Sequence, residues 1–328
     1  MALDFLLPRS YQEFIAILFL ALALDFAYPR HEGVLYYIHP VHTSYTMALK
    51  LHRSSPRTRM WGIIIWFAVV VSHITLYSLA LYIANLFSRV AWVILSAYIL
   101  KVSTSFKLLY NHVRNVYMCL YKGDLACART EVSKIVRRDV KNLGEGHVAS
   151  AAIESLFESL VDGFASPLLY YLLFGPIGAL TQRIANTLDS ALGYKDEEFR
   201  DVGWFSAKTD TAINFVPARL EALLIILLSP IGKGSMRRSW DTYRRYRRAT
   251  ESINAGHPLS AVSGYLGVRL EKIGAYVIGR EFTLPTGRDI ERALRFAILN
   301  AVTYVLIINA LSITIYLARQ TICCVANW

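Results

Sequence analysis

Two uncharged stretches limit what this chain can fold into more than anything else in it. Met60–Ser88 runs for 29 residues without a Lys, Arg, Asp or Glu, and Phe296–Ala318 runs for 23. A helix needs about 20 mostly apolar residues to cross a bilayer, and inside lipid every backbone polar group must be paired within the segment. Both stretches therefore read as spanning helices. Val90–Tyr110 reads as a third, with Lys101 and Lys107 placed to snorkel toward an interface. Tyr11–Tyr28 is a shorter first span. Its apolar run Phe14–Leu24 lacks a basic leader and is flanked by Glu13 and Asp25, so it reads as retained rather than cleaved. The expected fold class is an all-α integral membrane protein with about four full transmembrane helices.

Two further apolar runs are interrupted. Gly163–Gln182 is uncharged but carries Pro167, Gly175, Pro176 and Gly178, and Pro217–Ile231 carries Arg219 and Glu221. Broken segments are tolerated at membrane depth where protein or a polar cavity satisfies the freed backbone. The organisation expected is a membrane region 1–110 with a polar loop 29–60, a catalytic region 111–294 holding the broken runs 163–182 and 217–231, and a C-terminal helix and tail 295–328. Net charge is +11. Arg30, Lys50, Arg53, Arg57, Arg59 and the stretch RRSWDTYRRYRR at 237–248 would share one side of the bilayer. The positive-inside rule makes that side the cytoplasm, with the termini outside, provided both broken runs dip into the bilayer and return. Cys119, Cys127, Cys323 and Cys324 show no C-x-x-C spacing, so they read as small packing residues rather than a zinc site or disulfide framework.

Polar residues gather in the middle region. Glu154, Glu158 and Asp162 are four apart, on one face of a helix. Such a stripe is either a solvated face or, at a membrane surface, a site whose mutual repulsion calls for a cation such as Mg²⁺. Asn186 and Asp189 share a face at i, i+3, and Lys195 follows the turn at Gly193. Asp210, Asn214 and Arg219 come next, and Arg219 pairs either with Glu221 or with a substrate phosphate. Arg138-Asp139 and the Asn254-Ala255-Gly256 turn complete the set, while Arg269 either joins it or pairs with Glu271. Asp25, near the end of a span, is a functional candidate by default. Pro40 between His39 and His42 breaks helical ligand spacing, so His31, His39 and His42 read either as structural or, for His39, as a donor to a substrate amide, rather than as a zinc site. Gly232-Lys233-Gly234-Ser235 lacks the spacing of a nucleotide-binding P-loop and reads as a turn.

Five ordered motifs carry a resemblance. They are GDLACAR at 123–129, ESLFESLVDG at 154–163, NTLDSALGYK at 186–195, NFVPAR at 214–219, and NAG at 254–256 followed by LGVRL at 266–270. The succession resembles the CobD/CbiB family of cobalamin-biosynthesis proteins, with Asp25 and His39-Pro40-Val41 similar to its N-terminal signature. It departs where Ser159 replaces the family's Asn and where Asp210-Thr211 replaces an Asp-Asp pair. The resemblance implies an ATP-dependent adenosylcobinamide-phosphate synthase that joins adenosylcobyric acid to (R)-1-amino-2-propanol O-phosphate or a close analogue. It also implies Glu154, Glu158, Asp162, Asp189 and Asp210 as catalytic, the first four as Mg²⁺ ligands. Asp25, His39, Arg138, Asp139, Asn186, Lys195, Asn214, Arg219, Asn254, Gly256 and Arg269 are then implied to bind substrates and nucleotide. The partners expected are the corrinoid, the aminoalcohol phosphate, ATP and the lipid bilayer, together with other late cobalamin-assembly enzymes or a second copy. Nucleic acid is not among them, because a basic stretch beside a bilayer more often meets anionic lipid. A transporter with broken helices is the rival reading.

Overall fold

The computed structural model describes residues 5–326. It is almost wholly helical, with α1 (Tyr11–Ala27), α2 (Val34–Tyr37), α3 (Pro40–Arg53), α4 (Arg59–Phe87) and α5 (Arg89–Ser103). There follow α6 (Phe106–Tyr121), α7 (Leu125–Ser133) and α8 (Glu145–Leu160), a π-helical turn at Val161–Ala165, and α9 (Ser166–Leu192). The chain continues with α10 (Trp204–Ile213), α11 (Phe215–Leu228), α12 (Met236–Tyr246) and α13 (Gly256–Leu266). A hairpin of β1 (Leu270–Lys272) and β2 (Tyr276–Ile278) pairs Leu270 with Ile278 and Lys272 with Tyr276, and α14 (Gly287–Ala326) closes the chain.

The breaks follow from local chemistry. Ser88 stops α4 and its hydroxyl then accepts from Ala91 N–H, capping α5. Within α9 the helix is interrupted at Gly175, whose φ of 68° suits a residue without Cβ, and Pro176 behind it has no N–H to donate. At α3, Pro40 takes the first helical position behind the His39 cap.

Four helical runs are long and apolar enough to cross a membrane: Arg59–Phe87, Arg89–Tyr121 with its short break, Glu145–Leu192 and Gly287–Ala318. The bent pair α10–α11, angled by 44°, would make a fifth. Exposed Ile64, Phe67, Val71, Leu79 and Leu86 along α4 are what a lipid-facing surface requires. The number of spans is the one expected, but the set differs. The helix at 11–28 is only 17 residues long, while 163–182 lies inside the 48-residue run Glu145–Leu192, broken at Gly175 as its composition foretold.

The chain forms two compact units: unit 1 is 1–105, 166–213 and 305–328, and unit 2 is 106–165 and 214–304. Three of the four crossings fall where a helix breaks or changes pitch. In unit 1, α5 packs on α1, α4 and α9, and α9 packs in turn on α3, α4 and α10. In unit 2, α8 packs on α6, α7, α13 and β1, while α13 packs on α11 and α12.

One expectation about the cysteines is corrected. Cys119 at the end of α6 and Cys127 at the start of α7 form a disulfide. The tight turn at Gly123-Asp124 returns the chain so that their Cα atoms stand 5.6 Å apart, within bridging range. The side chains of Cys323 and Cys324 lie outside the described part.

Candidate active site

In unit 2, Glu154 is the centre of a closed set of partners. It sits on α8 and is 4% exposed. Ser150, one turn earlier, donates its hydroxyl to one carboxylate oxygen. Arg138 Nη2 and the Tyr276 hydroxyl both donate to the other at 2.9 Å. Ser150 Oγ also accepts from Glu271 N–H at 2.8 Å, which ties the β hairpin to α8. Burial, and then the negative charges of Glu154 and Glu158, push the Tyr276 phenol far above its ordinary range, so it stays a donor. Glu154 is thereby an anchored anion rather than an open ligand.

Glu158, one turn further on, is different. It is half-buried, the charges of Arg138 and Lys272 reach it, and no hydrogen-bond donor sits on it among the described residues. The regular stripe stops there. Asp162 stands in the π turn, where the register changes. Asp139 is exposed and accepts from Lys141 N–H, so it folds its own loop. Arg269 pairs with Glu271 at 3.2 Å, the plainer of its two readings.

A second constellation in unit 2 is cationic. Arg219 Nη1 donates to Phe215 O at 2.6 Å and to Asn254 Oδ1 at 3.3 Å, and the guanidinium lies 3.3 Å from the Phe215 ring centroid. The PAR and NAG motifs thus meet. His257 shares a hydrogen bond of 3.0 Å with the Tyr243 hydroxyl. Burial, followed by the charges of Arg219, Arg247 and Arg248, holds its imidazole down at about 4. A Cβ on Gly256 would sit 2.4 Å from Arg247 O, so only glycine lets α13 start this close to the end of α12. The alternative of an Arg219–Glu221 pair is overturned. Residues two apart on a helix do not face each other, and Glu221 is fully buried with Asn300 of α14 facing it. Asn214, almost fully buried, opens α11 beside this set.

The remaining expected residues belong to unit 1. Asn186 Nδ2 donates to Asp210 Oδ1 at 3.0 Å, joining α9 to α10. Asp189 lies half-buried near the end of α9, and Lys195 is exposed beyond it. Asp25 is buried on the last turn of α1. His39 caps α3, its Nδ1 accepting from Val41 N–H at 3.2 Å. Lys101 does not snorkel as its position suggested. It is 3% exposed, with its Nζ 3.1 Å from His31 Nδ1.

The residues expected as metal ligands are divided between the units. Glu154, Glu158 and Asp162 are in unit 2 and Asp189 is in unit 1. Glu154 accepts from three protein donors, and among the described residues no group of three or more His, Cys, Asp or Glu is arranged to hold a metal ion. Sequence reasoning missed Ser150, Tyr276, Tyr243 and His257. Nothing local marks them, since each earns its place through a partner on another element.

Comparison with known proteins identifies the family. The CobD/Cbib protein family matches over residues 18–305. A probable cobalamin biosynthesis protein CobD of Aeropyrum pernix is 43% identical over 294 residues, 90% of this chain and 91% of that protein. One from Thermoplasma acidophilum is 38% identical over 89% of this chain and 95% of its own length. One from Methanothermobacter thermautotrophicus is 32% identical over the same shares. No solved structure matches. With the match running through every motif of both polar constellations, the chain belongs to the CobD/Cbib family.

Proposed function

We propose that this protein is an enzyme of cobalamin assembly, an adenosylcobinamide-phosphate synthase working at the membrane. It would join a side-chain carboxylate of adenosylcobyric acid to (R)-1-amino-2-propanol O-phosphate, or a close analogue, at the expense of ATP. The observation that carries this reading is the pairing, within unit 2 of a CobD/Cbib chain, of a braced carboxylate motif with a cationic, neutral-imidazole constellation.

Amide formation at neutral pH needs an activated carboxyl. In the proposed sequence a corrinoid carboxylate oxygen attacks the γ-phosphorus of ATP and ADP departs. The amine nitrogen then attacks the acyl carbon, phosphate leaves, and the ammonium proton passes to a carboxylate. Glu158 is the carboxylate left open for that proton. Arg138, held by Glu154, keeps positive charge beside it. Arg219, Arg247 and Arg248 supply charge for phosphoryl oxygens, and His257, kept neutral, adds a donor or acceptor without competing charge. Mg²⁺ belongs to this reading as the counter-ion of ATP, neutralising charge on the phosphates. The basic side is proposed to face the cytoplasm, where ATP is available.

Purified protein given adenosylcobyric acid, the amine phosphate and Mg-ATP should yield the amide, detected by mass. An unchanged corrinoid beside a working positive control would sink the proposal. The rival transporter reading rests on the break at Gly175 and the bent α10–α11 pair. ATP consumption that requires both corrinoid and amine would exclude it.

A further inference from the structure

The arginine-rich stretch at 237–248 has a face that the steps above leave unused, and it follows directly on an apolar one. Val216, Leu220, Leu223 and Leu227 recur at spacings of four and three, so they share one side of α11, and all four are exposed. Ile231, also exposed, carries the apolar stripe into the turn. Surface of this kind is what a helix presents to lipid rather than to water. The chain then turns tightly, with Gly234 N–H donating to Ser229 O at 2.8 Å and Lys233 in the left-handed region at a φ of 64°. Ser235 caps α12 immediately after it.

One face of α12 is seated by small side chains. Ser239 and Thr242 are buried, Ser239 Oγ donates to Ala261 O at 2.8 Å, and a Cβ on Gly264 would stand 2.6 Å from Ser239 Cα. Arg238 is committed to the same seam, donating to Gly264 O at 2.7 Å and to Tyr265 O at 2.9 Å. The opposite face points outward and carries Arg237, Trp240 and Arg244, which share a side at i, i+3 and i+7. Trp240 is 43% exposed and the Arg237 side chain 93%.

Arg237 has a long contact of 3.9 Å with Asp241, Arg245 pairs with Glu281 at 3.5 Å, and Arg244 has no acidic partner among the described residues. An exposed indole flanked by arginines, just beyond an apolar stripe, is the pattern of a membrane–water boundary. The ring sits at headgroup depth and the guanidiniums reach lipid phosphates. We propose that the Arg237–Trp240–Arg244 face of α12 docks on anionic phospholipid headgroups, with the exposed side of α11 against the acyl chains. A lipid surface fits better than a nucleic acid or an acidic protein, because a bilayer offers hydrocarbon and then negative charge in the order in which the chain presents its apolar and basic faces.

The test uses the full chain in lipid nanodiscs with photoreactive analogues of phosphatidylglycerol and phosphatidylcholine, the crosslinked peptide being located by mass. Phosphatidylglycerol should label the segment 231–246 in preference to phosphatidylcholine, and the preference should fall as salt is raised. Arg237→Gln and Arg244→Gln should each reduce it about fivefold, because each removes one charge near the surface. Arg237→Lys with Arg244→Lys should keep most of it, since a lipid surface reads charge rather than the planar fork. Both arginines are exposed, so a melting temperature near that of the wild type certifies the variants as folded. The comparison of the two lipids on the wild-type chain decides by itself if a variant misfolds. Equal labelling of 231–246 by both lipids would overturn the proposal, as would a preference undiminished in a folded chain carrying both Gln substitutions. A short RNA or a polyglutamate peptide that binds this segment while phosphatidylglycerol shows no preference would assign the face to a soluble partner instead.

Discussion

Glu154 of unit 2 and Lys101 of unit 1 are both buried charges on helices, and the two units satisfy them in different ways. Glu154 receives a guanidinium, a phenol and a hydroxyl, so both its oxygens are occupied. Lys101 meets an imidazole and is attracted by a carboxylate while a second cation, Arg183, acts on the same cluster. A charge held on both oxygens fixes the elements that bring its partners. The same contrast recurs one helical turn along α8, where Glu158 lacks the donors that Glu154 holds.

The sharpest way to break this comparison is to remove one partner of the saturated pair. Glu154→Gln should destabilise the protein by about 3–5 kcal/mol, because it strands the Arg138 guanidinium without its counter-charge. Thermal unfolding in detergent reads this, and Arg138→Met should cost a similar amount. A near-normal melting temperature in Glu154→Gln would return Glu154 to the role of open ligand. Next comes Glu158→Gln, with the opposite signature. Its melting temperature should hardly move, while amide formation falls about 100-fold or more, the size of a lost proton acceptor.

A smaller effect is expected at Arg219. Replacement by Lys keeps charge but loses the planar fork and the stacking on Phe215, so KM for ATP should rise about tenfold with little change in stability. The charge swap Arg219→Glu, Glu221→Arg should fail to restore function and should unfold the protein, since it buries an arginine where Asn300 now faces a carboxyl. Recovery of activity in the swap would reinstate the pair that the geometry rejects.

The last effect is a pH dependence, which is read on stability alone. His257 titrates near 6.5 when unfolded but at about 4 when folded, and His39 at about 3. The unfolded chain therefore binds more protons between those values, and stability must rise with pH there. It is complete above about 6.5 and is lost progressively as pH falls toward 4 and then 3. Melting curves from pH 7 to 4 should show this, with a shallower fall in His257→Gln. An equal fall in that variant would mean that His257 contributes nothing.

Orientation is tested separately, because charge bias alone supports it. A single cysteine at Glu197, in a background without native cysteines, should be shielded from an impermeant thiol reagent in intact cells. Labelling from outside would reverse the proposed topology while leaving the contrast between the two units untouched.

Much was legible in the residues alone because it depends on order along the chain. Hydropathy marked Met60–Ser88 and Phe296–Ala318 as spans, glycine and proline at 175–176 marked a broken helix, and the four-residue period aligned Glu154 with Glu158. These are one-dimensional properties, set by side-chain type and by 3.6 residues per turn. What only the tertiary structure decided is which charges are paired. Tyr276 reaches Glu154 across 122 residues, Asn254 reaches Arg219 across 35, and His31 reaches Lys101 across 70. Whether a carboxylate is an anchor or an open ligand depends on donors brought by other elements and on the water excluded around it. Neither leaves a periodic trace in the sequence, so Glu154 and Glu158 look alike there and differ only once the chain has folded.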